Sequence, residues 1–262
     1  MKHSILIPHR NRDRQLELCL WSIHRSAIEC GVKEYEVVAA DSGQNGVCVD
    51  GWASGWYRVI PDPVPPAVFN KPRCLNLAID AARGEILTFL DADAIVGKRF
   101  METVDAFDRE PSLVRVNYRV RYLAEDDALG IEMAADKAAH VDSLFAHYDS
   151  FPHGWEAYGH HHLNTWTDSV QPWGNSQFSI CRKDLRGCRP DEAYAGRGQE
   201  DMDFNCQLEA AWGEAYRGVI FTDADHAMFH QRHEYEPEWN DEGRKRLNNE
   251  RYRAKRMKLL GF

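Results

Sequence analysis

Two aspartates separated by one residue close a short apolar run of this chain. Asp91 and Asp93 follow residues 86–90, Ile-Leu-Thr-Phe-Leu, which are typical of a buried strand and too few for a typical helix. Carboxylates at the carboxyl end of such a strand lie at the edge of an α/β sheet, where ligands bind. Because Mg²⁺ is commonly held by one or two carboxylates together with substrate phosphates, the pair predicts a metal–diphosphate site. A solvated acidic turn is the alternative that the pattern leaves open.

A second acidic pair, Glu200 and Asp201, follows a glycine-containing turn and opens a predicted helix over residues 200–212. Carboxylates in a first helical turn lie near the positive end of the helix dipole. There they can act as a general base on a hydroxyl, which contributes roughly 10²–10⁴-fold to a rate. Helix capping is the alternative, because it explains acidic residues at this position without any catalysis.

The D-x-D pair cannot fill an octahedral metal shell, so a further ligand is expected later in the chain. Residues 228–233, Met-Phe-His-Gln-Arg-His, place two histidines three residues apart after a predicted strand. We favour His230 over His233 as the ligand, with His226 as an alternative if the strand ends early and a solvated loop as the other interpretation. An imidazole ligand would favour Mn²⁺ over Mg²⁺.

The elements that must position these residues alternate between strand and helix. Apolar runs predict strands at 4–8, 36–40, 57–60 and 86–90, and helical spacing predicts a helix after the first strand and another over 73–82, ended by Gly84 as a C-cap. This alternation predicts an α/β fold, with a doubly wound, mostly parallel sheet and helices on both faces.

The second half of the chain does not continue the regular alternation of strands and helices. We predict a half-solvated strand at 113–123, a helix at 126–147, a strand at 176–181 and a basic helix at 244–260. Leu247, Met257 and Leu259 are expected to pack that last helix on the body of the protein. The aromatic and histidine-rich residues 151–173 predict a lid or acceptor loop. A zinc site at His160–His162 is disfavoured because it lacks regularly spaced partners.

Composition excludes several classes of protein. The net charge of −9 over 262 residues disfavours a general nucleic-acid-binding role. Seven scattered cysteines without a C-x-x-C pair favour a reducing, cytoplasmic compartment. No stretch has the length of a signal peptide or an integral membrane segment, while peripheral association through the basic tail and the oligomeric state stay open.

Six blocks, in this order, resemble family 2-like glycosyltransferases of the GT-A fold, with a galactosyltransferase-type C-terminal half. The blocks are 4–12, 37–43, 71–84, 91–93, 174–183 and 196–204. The resemblance implies a single domain, 1–262, in which 1–97 bind the nucleotide sugar and 98–235 bind the acceptor and catalyse transfer. An insertion near 118–173 has no counterpart, and 236–262 form the basic helix.

The resemblance also implies roles for individual residues. Asp201 would be the general base, with Glu200 at the acceptor, and a histidine of 228–233, His230 by preference, would complete a metal site with Asp93 and Asp91. The expected donor-binding residues are Pro8, Arg10, Asp41, Lys71, Arg73, Asn76, Asp91 and Ala92, and the expected acceptor-binding residues are Trp173, Gly174, Asn175 and Glu200. Ala40 stands where the family has a second acidic residue, which leaves the identity of the nucleotide open. For Lys71 and Arg73 a solvated charge, and for Trp173 core packing, are alternatives.

The leading hypothesis is therefore a Mn²⁺- or Mg²⁺-dependent, inverting glycosyltransferase. It would move a sugar from a nucleotide-diphospho sugar, with UDP-Gal, UDP-GalNAc or UDP-GlcNAc favoured, to a glycan or other hydroxyl acceptor. One rival is a sugar-phosphate nucleotidyltransferase, although residues 9–12 lack the glycines of its phosphate loop. The other rival is a non-catalytic nucleotide-sugar-binding accessory module.

Overall fold

The computed structural model of the chain describes residues 2–43, 55–110, 112–151, 177–221, 223–233, 237–238 and 241–260. Their strands are β1 (His3–His9), β2 (Tyr35–Asp41), β3 (Tyr57–Pro61), β4 (Ile86–Phe89), β5 (Ala94–Val96), β6 (Arg115–Tyr118), β7 (Val120–Leu123), β8 (Phe178–Cys181), β9 (Gly218–Phe221) and β10 (Met228–Gln231). Their α-helices are α1 (Asp13–Glu29), α2 (Lys71–Ala81), α3 (Thr103–Arg109), α4 (Glu125–Met133), α5 (Lys137–Ala146), α6 (Glu200–Trp212) and α7 (Glu242–Leu260).

A seven-stranded sheet with the order β3-β2-β1-β4-β8-β6-β9 forms the centre of the fold. The pairs β3–β2, β2–β1, β1–β4 and β6–β9 are parallel, and β8 runs antiparallel to both of its neighbours. Every residue of β1 and β2 is buried, as expected for parallel strands covered on both faces. The predicted α/β fold with a mostly parallel sheet is therefore confirmed.

Helices cover the two faces of this sheet because successive side chains of a strand point to opposite sides. Ile23 of α1 shares a buried cluster with Ile5 and Ile7 of β1. Ala78 of α2 shares another buried cluster with Leu6, which lies between Ile5 and Ile7 in β1. The apolar spacing of each helix therefore fixes the face of the sheet on which it packs.

A second sheet, with the order β5-β10-β7, connects the two halves of the chain. In the antiparallel β5–β10 pair His230 lies opposite Ala94. The Gln231 N–H also donates to the Asp93 carbonyl over 2.9 Å. This register places the histidine-containing segment beside the D-x-D turn, although the two are far apart in sequence.

Two predicted elements of the second half are each divided in the structure. The expected strand at 113–123 changes sheets at Arg119, so that β6 is fully buried in the large sheet while β7 joins the small one. The expected helix at 126–147 is interrupted between α4 and α5, where the Asp136 side chain caps α5 by accepting the Ala139 N–H. Apolar periodicity marked both segments but did not mark the points at which they change direction.

Gly84 does not cap α2, contrary to the prediction. The helix ends at Ala81, and Ala82 is already extended, with ψ 146°. A Cβ atom on Gly84 would lie 2.5 Å from the Ser4 backbone nitrogen. Glycine is needed here because the chain passes directly against β1.

Helix α7 packs on α6 through polar side chains, contrary to the prediction. Asn248 and Tyr252 are its buried residues, whereas Leu247, Met257 and Leu259 are 57%, 66% and 39% exposed. The buried face of α7 is therefore formed by residues that can make hydrogen bonds. None of the described helices combines the length and apolarity needed to cross a membrane.

Candidate active site

Asp91 and Asp93 lie in the turn that joins β4 to β5. The Leu90 N–H still donates to the Leu6 carbonyl of β1, over 3.0 Å, so the chain leaves the large sheet directly after this residue. The turn sends its two carboxylates into different surroundings, since the Asp93 side chain is 2% exposed and that of Asp91 is 22% exposed. The two aspartates therefore have different partners.

Asp93 is surrounded by three basic side chains. Arg12 Nη1 lies 2.6 Å and His233 Nε2 3.0 Å from Asp93 Oδ2, and His230 Nε2 lies 3.4 Å from Oδ1. His230 and His233, two of the three histidines considered from the sequence, thus converge on the same carboxylate. His226 instead contacts Asp223, at 2.7 Å.

The group of Asp93, His230 and His233 fits a divalent metal ion. One ligand atom from each lies within 4.8 Å of the other two. Two ligand bonds of about 2.1 Å to a shared ion span at most about 4.2 Å, so small side-chain shifts would bring the three groups into contact with one ion. Within the described parts of the chain, Asp93 Oδ1 and His230 Nδ1 are buried and accept or donate no hydrogen bond. Two imidazoles and one carboxylate favour Mn²⁺ or a similar transition metal over Mg²⁺.

The protonation of this group also suits a cation. Burial opposes the ionisation of Asp93, but His230, the hydrogen bond from His233 and the Arg12 guanidinium outweigh it and hold the pKa of this carboxyl far below its usual range. Burial lowers the pKa of His230 more than the nearby Asp93 raises it. An ionised carboxylate and a neutral imidazole are the forms that bind metals.

Asp91 is held by a different pair of side chains. Lys71 Nζ lies 2.5 Å from Asp91 Oδ1, and the Gln177 amide donates to Oδ2 over 2.6 Å while accepting the Asp91 N–H over 2.9 Å. The role of Asp91 as a donor or metal contact stays a prediction. Its geometry groups it with Lys71 rather than with the histidines.

Glu200 and Asp201 begin α6 on the other side of Lys71. The preceding residue, Gln199, is left-handed with φ 70° and makes no capping hydrogen bond through its side chain. Glu200 instead accepts the Gly198 N–H over 3.1 Å, and Asp201 accepts the Met202 N–H over 2.8 Å. The first-turn acids therefore do make amide contacts, as the capping alternative predicts.

These acids also line a small apolar cavity with Lys71. Its wall consists of side chains from α2, β4, β8 and α6, among them Leu75, Phe89, Phe178 and Phe204. In this setting burial and the neighbouring Asp201 raise the pKa of Glu200 to about 7, although Lys71 lowers it. Burial likewise raises the pKa of Asp201 against the attraction of Lys71. Carboxyls with raised pKa values are suited to accept protons near neutral pH.

Asp41, the predicted nucleoside ligand, lies at the end of β2 and is 5% exposed. It accepts hydrogen bonds from His9 Nδ1 and the Gly43 N–H, both over 2.9 Å. Because the Arg12 N–H points at His9 Nε2 over 3.2 Å, the ring proton belongs on Nδ1. Burial opposes ionisation of Asp41, but these donors lower its pKa overall.

The other predicted donor-binding residues have structural partners. Arg10 donates to the carbonyls of Pro66 and Ala67. Arg73 makes two hydrogen bonds to Asp62, of 2.8 and 3.0 Å. Asn76 donates to the Pro190 carbonyl and to Glu192, over 3.0 and 2.9 Å.

Two further predicted donor-binding residues lie within or beside the strands. Pro8 is paired with Ala40 across β1 and β2, and Ala92 is buried between the two aspartates. The donor-binding roles of all these residues stay predictions. The predicted acceptor-binding Trp173, Gly174 and Asn175, and the histidine cluster at 160–162, lie outside the described residues.

The sequence model of glycosyl transferase family 2 matches residues 4–130. The matched region contains β1 to β4 and the D-x-D turn. Residues 4–130 are therefore similar to glycosyl transferase family 2. The galactosyltransferase-type resemblance of the C-terminal half lies beyond the match and stays a prediction. No curated protein sequence matches the chain.

Solved glycosyltransferase structures share the fold of this chain. Glucosyl-3-phosphoglycerate synthase from Mycobacterium tuberculosis, bound to Mn²⁺ and UDP-glucose, is 18% identical over 100% of this chain and 79% of its own, with a TM-score of 0.55. S. aureus TarS 1–349 with UDP is 15% identical over 88% of this chain and 61% of its own, with a TM-score of 0.53. The mannosyltransferase PcManGT from Pyrobaculum calidifontis, with GDP-Man and Mn²⁺, is 17% identical over 99% of this chain and 61% of its own, with a TM-score of 0.51. The chain thus spans about three fifths of the TarS fragment, and these likenesses establish the GT-A fold.

Three contacts of the candidate site were not assigned from the sequence. Arg12 contacts Asp93, Gln177 binds Asp91, and His9 binds Asp41. Arg12 and Gln177 each stood inside a recognised block, but a one-dimensional pattern gives no partner. His9 could have been found from its place at the end of β1, next to Asp41 at the end of β2.

Proposed function

We propose that the protein is a metal-dependent, inverting glycosyltransferase that uses a nucleotide-diphospho sugar and a hydroxyl acceptor such as a glycan. One observation carries this proposal: Lys71 contacts Asp91 of the Asp91–Asp93 turn and lines the same cavity as the acidic pair Glu200–Asp201. A donor-phosphate site and a candidate general base therefore adjoin. The similar structures support a nucleotide-sugar donor, since they hold UDP, UDP-glucose or GDP-mannose.

The donor diphosphate is assigned to the Asp93 side of Lys71. A divalent ion bound by Asp93, His230 and His233 would supply Lewis-acid stabilisation of the charge that develops on the leaving diphosphate. Lys71 contributes a fixed positive charge beside that position, and its partners Asp91, Glu200 and Asp201 raise its pKa despite burial. Arg12 adds a second cation at Asp93.

The acceptor is assigned to the Glu200–Asp201 side. Asp201 takes the proton of the attacking hydroxyl, and Glu200 hydrogen-bonds the acceptor. A base placed opposite the leaving diphosphate supports a single displacement, which inverts the anomeric carbon. The predicted contacts of Trp173, Gly174 and Asn175 with the acceptor belong to the same proposal.

We further propose UDP as the nucleotide and the cytoplasm as the location. Support for UDP is the occurrence of UDP in two of the similar structures. Support for a reducing compartment is that the described cysteines, such as Cys19 and Cys74, are free thiols.

Calorimetric titration of UDP and of GDP, each with and without Mn²⁺, tests the donor site. The wild-type protein should bind one nucleotide tightly only when Mn²⁺ is present. Asp93→Ala should weaken that binding by about 100-fold or more, because it removes a carboxylate that both histidines contact. Asp142→Ala, which removes a partly exposed carboxylate on α5, is the matched control and should bind as the wild type does.

Two other results would favour the rival functions. Nucleotide binding without any sugar transfer by the isolated protein would support the non-catalytic accessory module. Release of pyrophosphate from a nucleoside triphosphate and a sugar phosphate would support the nucleotidyltransferase.

A further inference from the structure

Positive charge is concentrated in the last helix of an otherwise acidic protein. Helix α7 carries eight Lys or Arg and only two Glu, in a chain whose net charge is −9. Such a distribution produces a strong positive potential along one element. The use of that charge depends on which face of α7 each residue occupies.

The inner face of α7 is bound to the body of the protein. Lys255 contacts Asp203, which is fully buried, and Asp191, over 2.9 and 2.7 Å. Asn248 donates to the carbonyls of Ala195 and Arg197, over 3.2 and 3.3 Å. Lys255 and Asn248, together with Arg251, which donates to the Ala193 carbonyl, therefore fix the helix to α6 and to the segment that precedes Glu200.

The outer face of α7 combines basic and apolar side chains. Arg246, Arg253 and Met257 follow one another at spacings of seven and four residues, which places them on one face of a helix. All three are exposed, and the two arginines have no ion-pair or hydrogen-bond partner in the described regions of the chain. Leu247 is exposed on the adjoining stripe, which continues with Lys258.

We propose that this outer face of α7 binds the surface of an anionic lipid bilayer. Its arginines and lysine supply attraction to lipid phosphates and carboxylates, and Met257 and Leu247 supply apolar groups that enter the headgroup boundary. The acidic remainder of the chain is repelled by the same surface, so the protein would bind in one orientation. Single-stranded nucleic acid is a poorer fit, because the outward stripes carry no aromatic residue on which bases could stack.

This orientation has a consequence for the candidate active site. The inner face of α7 holds residues 191–197, which lead directly into Glu200 and Asp201. A lipid-bound α7 would therefore keep the acceptor side of the site at a fixed distance from the bilayer. Such a position suits an acceptor carried by the membrane, and this last step rests on the proposed function.

Co-sedimentation with lipid vesicles tests the proposal without any assay of turnover. The 262-residue protein is mixed with vesicles of phosphatidylcholine alone, or of phosphatidylcholine with about one third phosphatidylglycerol. We expect binding only to the anionic vesicles, weakening as salt is raised. Arg246→Gln combined with Arg253→Gln should weaken it about 30-fold, since each basic residue near an anionic surface contributes about fivefold.

A matched pair of substitutions controls for the loss of charge. Lys33→Gln with Arg83→Gln removes two exposed cations from other parts of the surface and should leave vesicle binding unchanged. Met257→Ser should weaken binding severalfold while the charge stays constant. Circular dichroism of every variant confirms that α7 is still folded.

Three outcomes would overturn the proposal. These are equal binding to both kinds of vesicle, equal loss in the two double variants, and absence of binding to the anionic vesicles. Displacement of the protein from vesicles by single-stranded RNA at equal charge concentration, with tighter binding to the RNA, would show instead that the helix recognises polyanions.

Discussion

The two acidic pairs of the candidate site, in the D-x-D turn and at the start of α6, respond differently to burial. Three basic side chains surround Asp93 and hold its pKa far below the usual range. Glu200 and Asp201 share the cation Lys71 with Asp91, and burial raises their pKa values. The same chemical group is therefore kept ionised at one place and made ready to accept a proton at the other.

This difference indicates that the basic side chains around each carboxylate decide its role. A permanently ionised Asp93 is suited to hold a metal ion, whereas a carboxyl that titrates near neutral pH is suited to proton transfer. Lys71 belongs to both environments, and it separates them. If the comparison is correct, substitutions on the two sides should differ both in size and in sign.

Among the substitutions that test this difference, Asp201→Asn should have the largest effect on activity. It removes the proposed base while keeping the size of the side chain, so turnover should fall by about 10³-fold, within the range typical of general-base catalysis. Nucleotide affinity in the presence of Mn²⁺ should change less than about twofold, since Asp201 lies on the acceptor side of Lys71. Steady-state kinetics together with calorimetry would measure both quantities.

Asp203→Asn serves as the reference for that experiment. Asp203 lies two residues away but binds Lys255 of α7, so its loss should affect the stability of the fold more than the chemical step. Full turnover by Asp201→Asn would contradict the assignment of the base.

The parts of this site that could be predicted are those encoded by local pattern. Strand β4 and the turn at Asp91–Asp93 follow from an apolar run and a change to acidic residues. Helix α6 follows from its glycine-containing turn and acidic start. Both signals lie within a few residues of the atoms they describe, so one sequence is sufficient to read them.

The partners of these residues could not be predicted, because they depend on long-range register. Arg12 reaches Asp93, and Gln177 reaches Asp91, across 81 and 86 residues of sequence. The choice between His230 and His233 depended in the same way on the pairing of β10 with β5. Helix α7 shows the same limit, since its existence was clear and the face that it buries was not.

Glu200→Gln and Asp93→Asn should change stability in opposite directions. The folded protein raises the pKa of Glu200 to about 7. Stability is therefore lost as the pH rises from the ordinary pKa of a glutamate towards 7. Glu200→Gln should accordingly stabilise the fold by about 1–2 kcal/mol near pH 8. Asp93 has a depressed pKa, so its contribution is present above its ordinary value and is lost as pH falls below it. Asp93→Asn should therefore destabilise the metal-free protein by about 3 kcal/mol near pH 8.

Chemical denaturation at a series of pH values measures both changes in the free energy of unfolding. The stabilisation by Glu200→Gln should disappear at about pH 4.5, because the glutamate of the unfolded chain is also protonated below that pH. Destabilisation by Glu200→Gln near pH 8, or stabilisation by Asp93→Asn, would show that the two environments do not differ as described.

Gln177→Ala should have the smallest effect and should separate Asp91 from Asp93. It removes two hydrogen bonds that orient Asp91 and leaves the contacts of Asp93 intact. The KM for the donor should rise about fivefold, the value of roughly one hydrogen bond, while Mn²⁺ affinity in the absence of nucleotide stays constant. Gln207→Ala removes a similar amide–carboxylate bond, to Asp203, and should leave the KM for the donor unchanged. A loss of Mn²⁺ affinity in Gln177→Ala alone would instead place Asp91 among the metal ligands, because only then would its orientation matter to the ion.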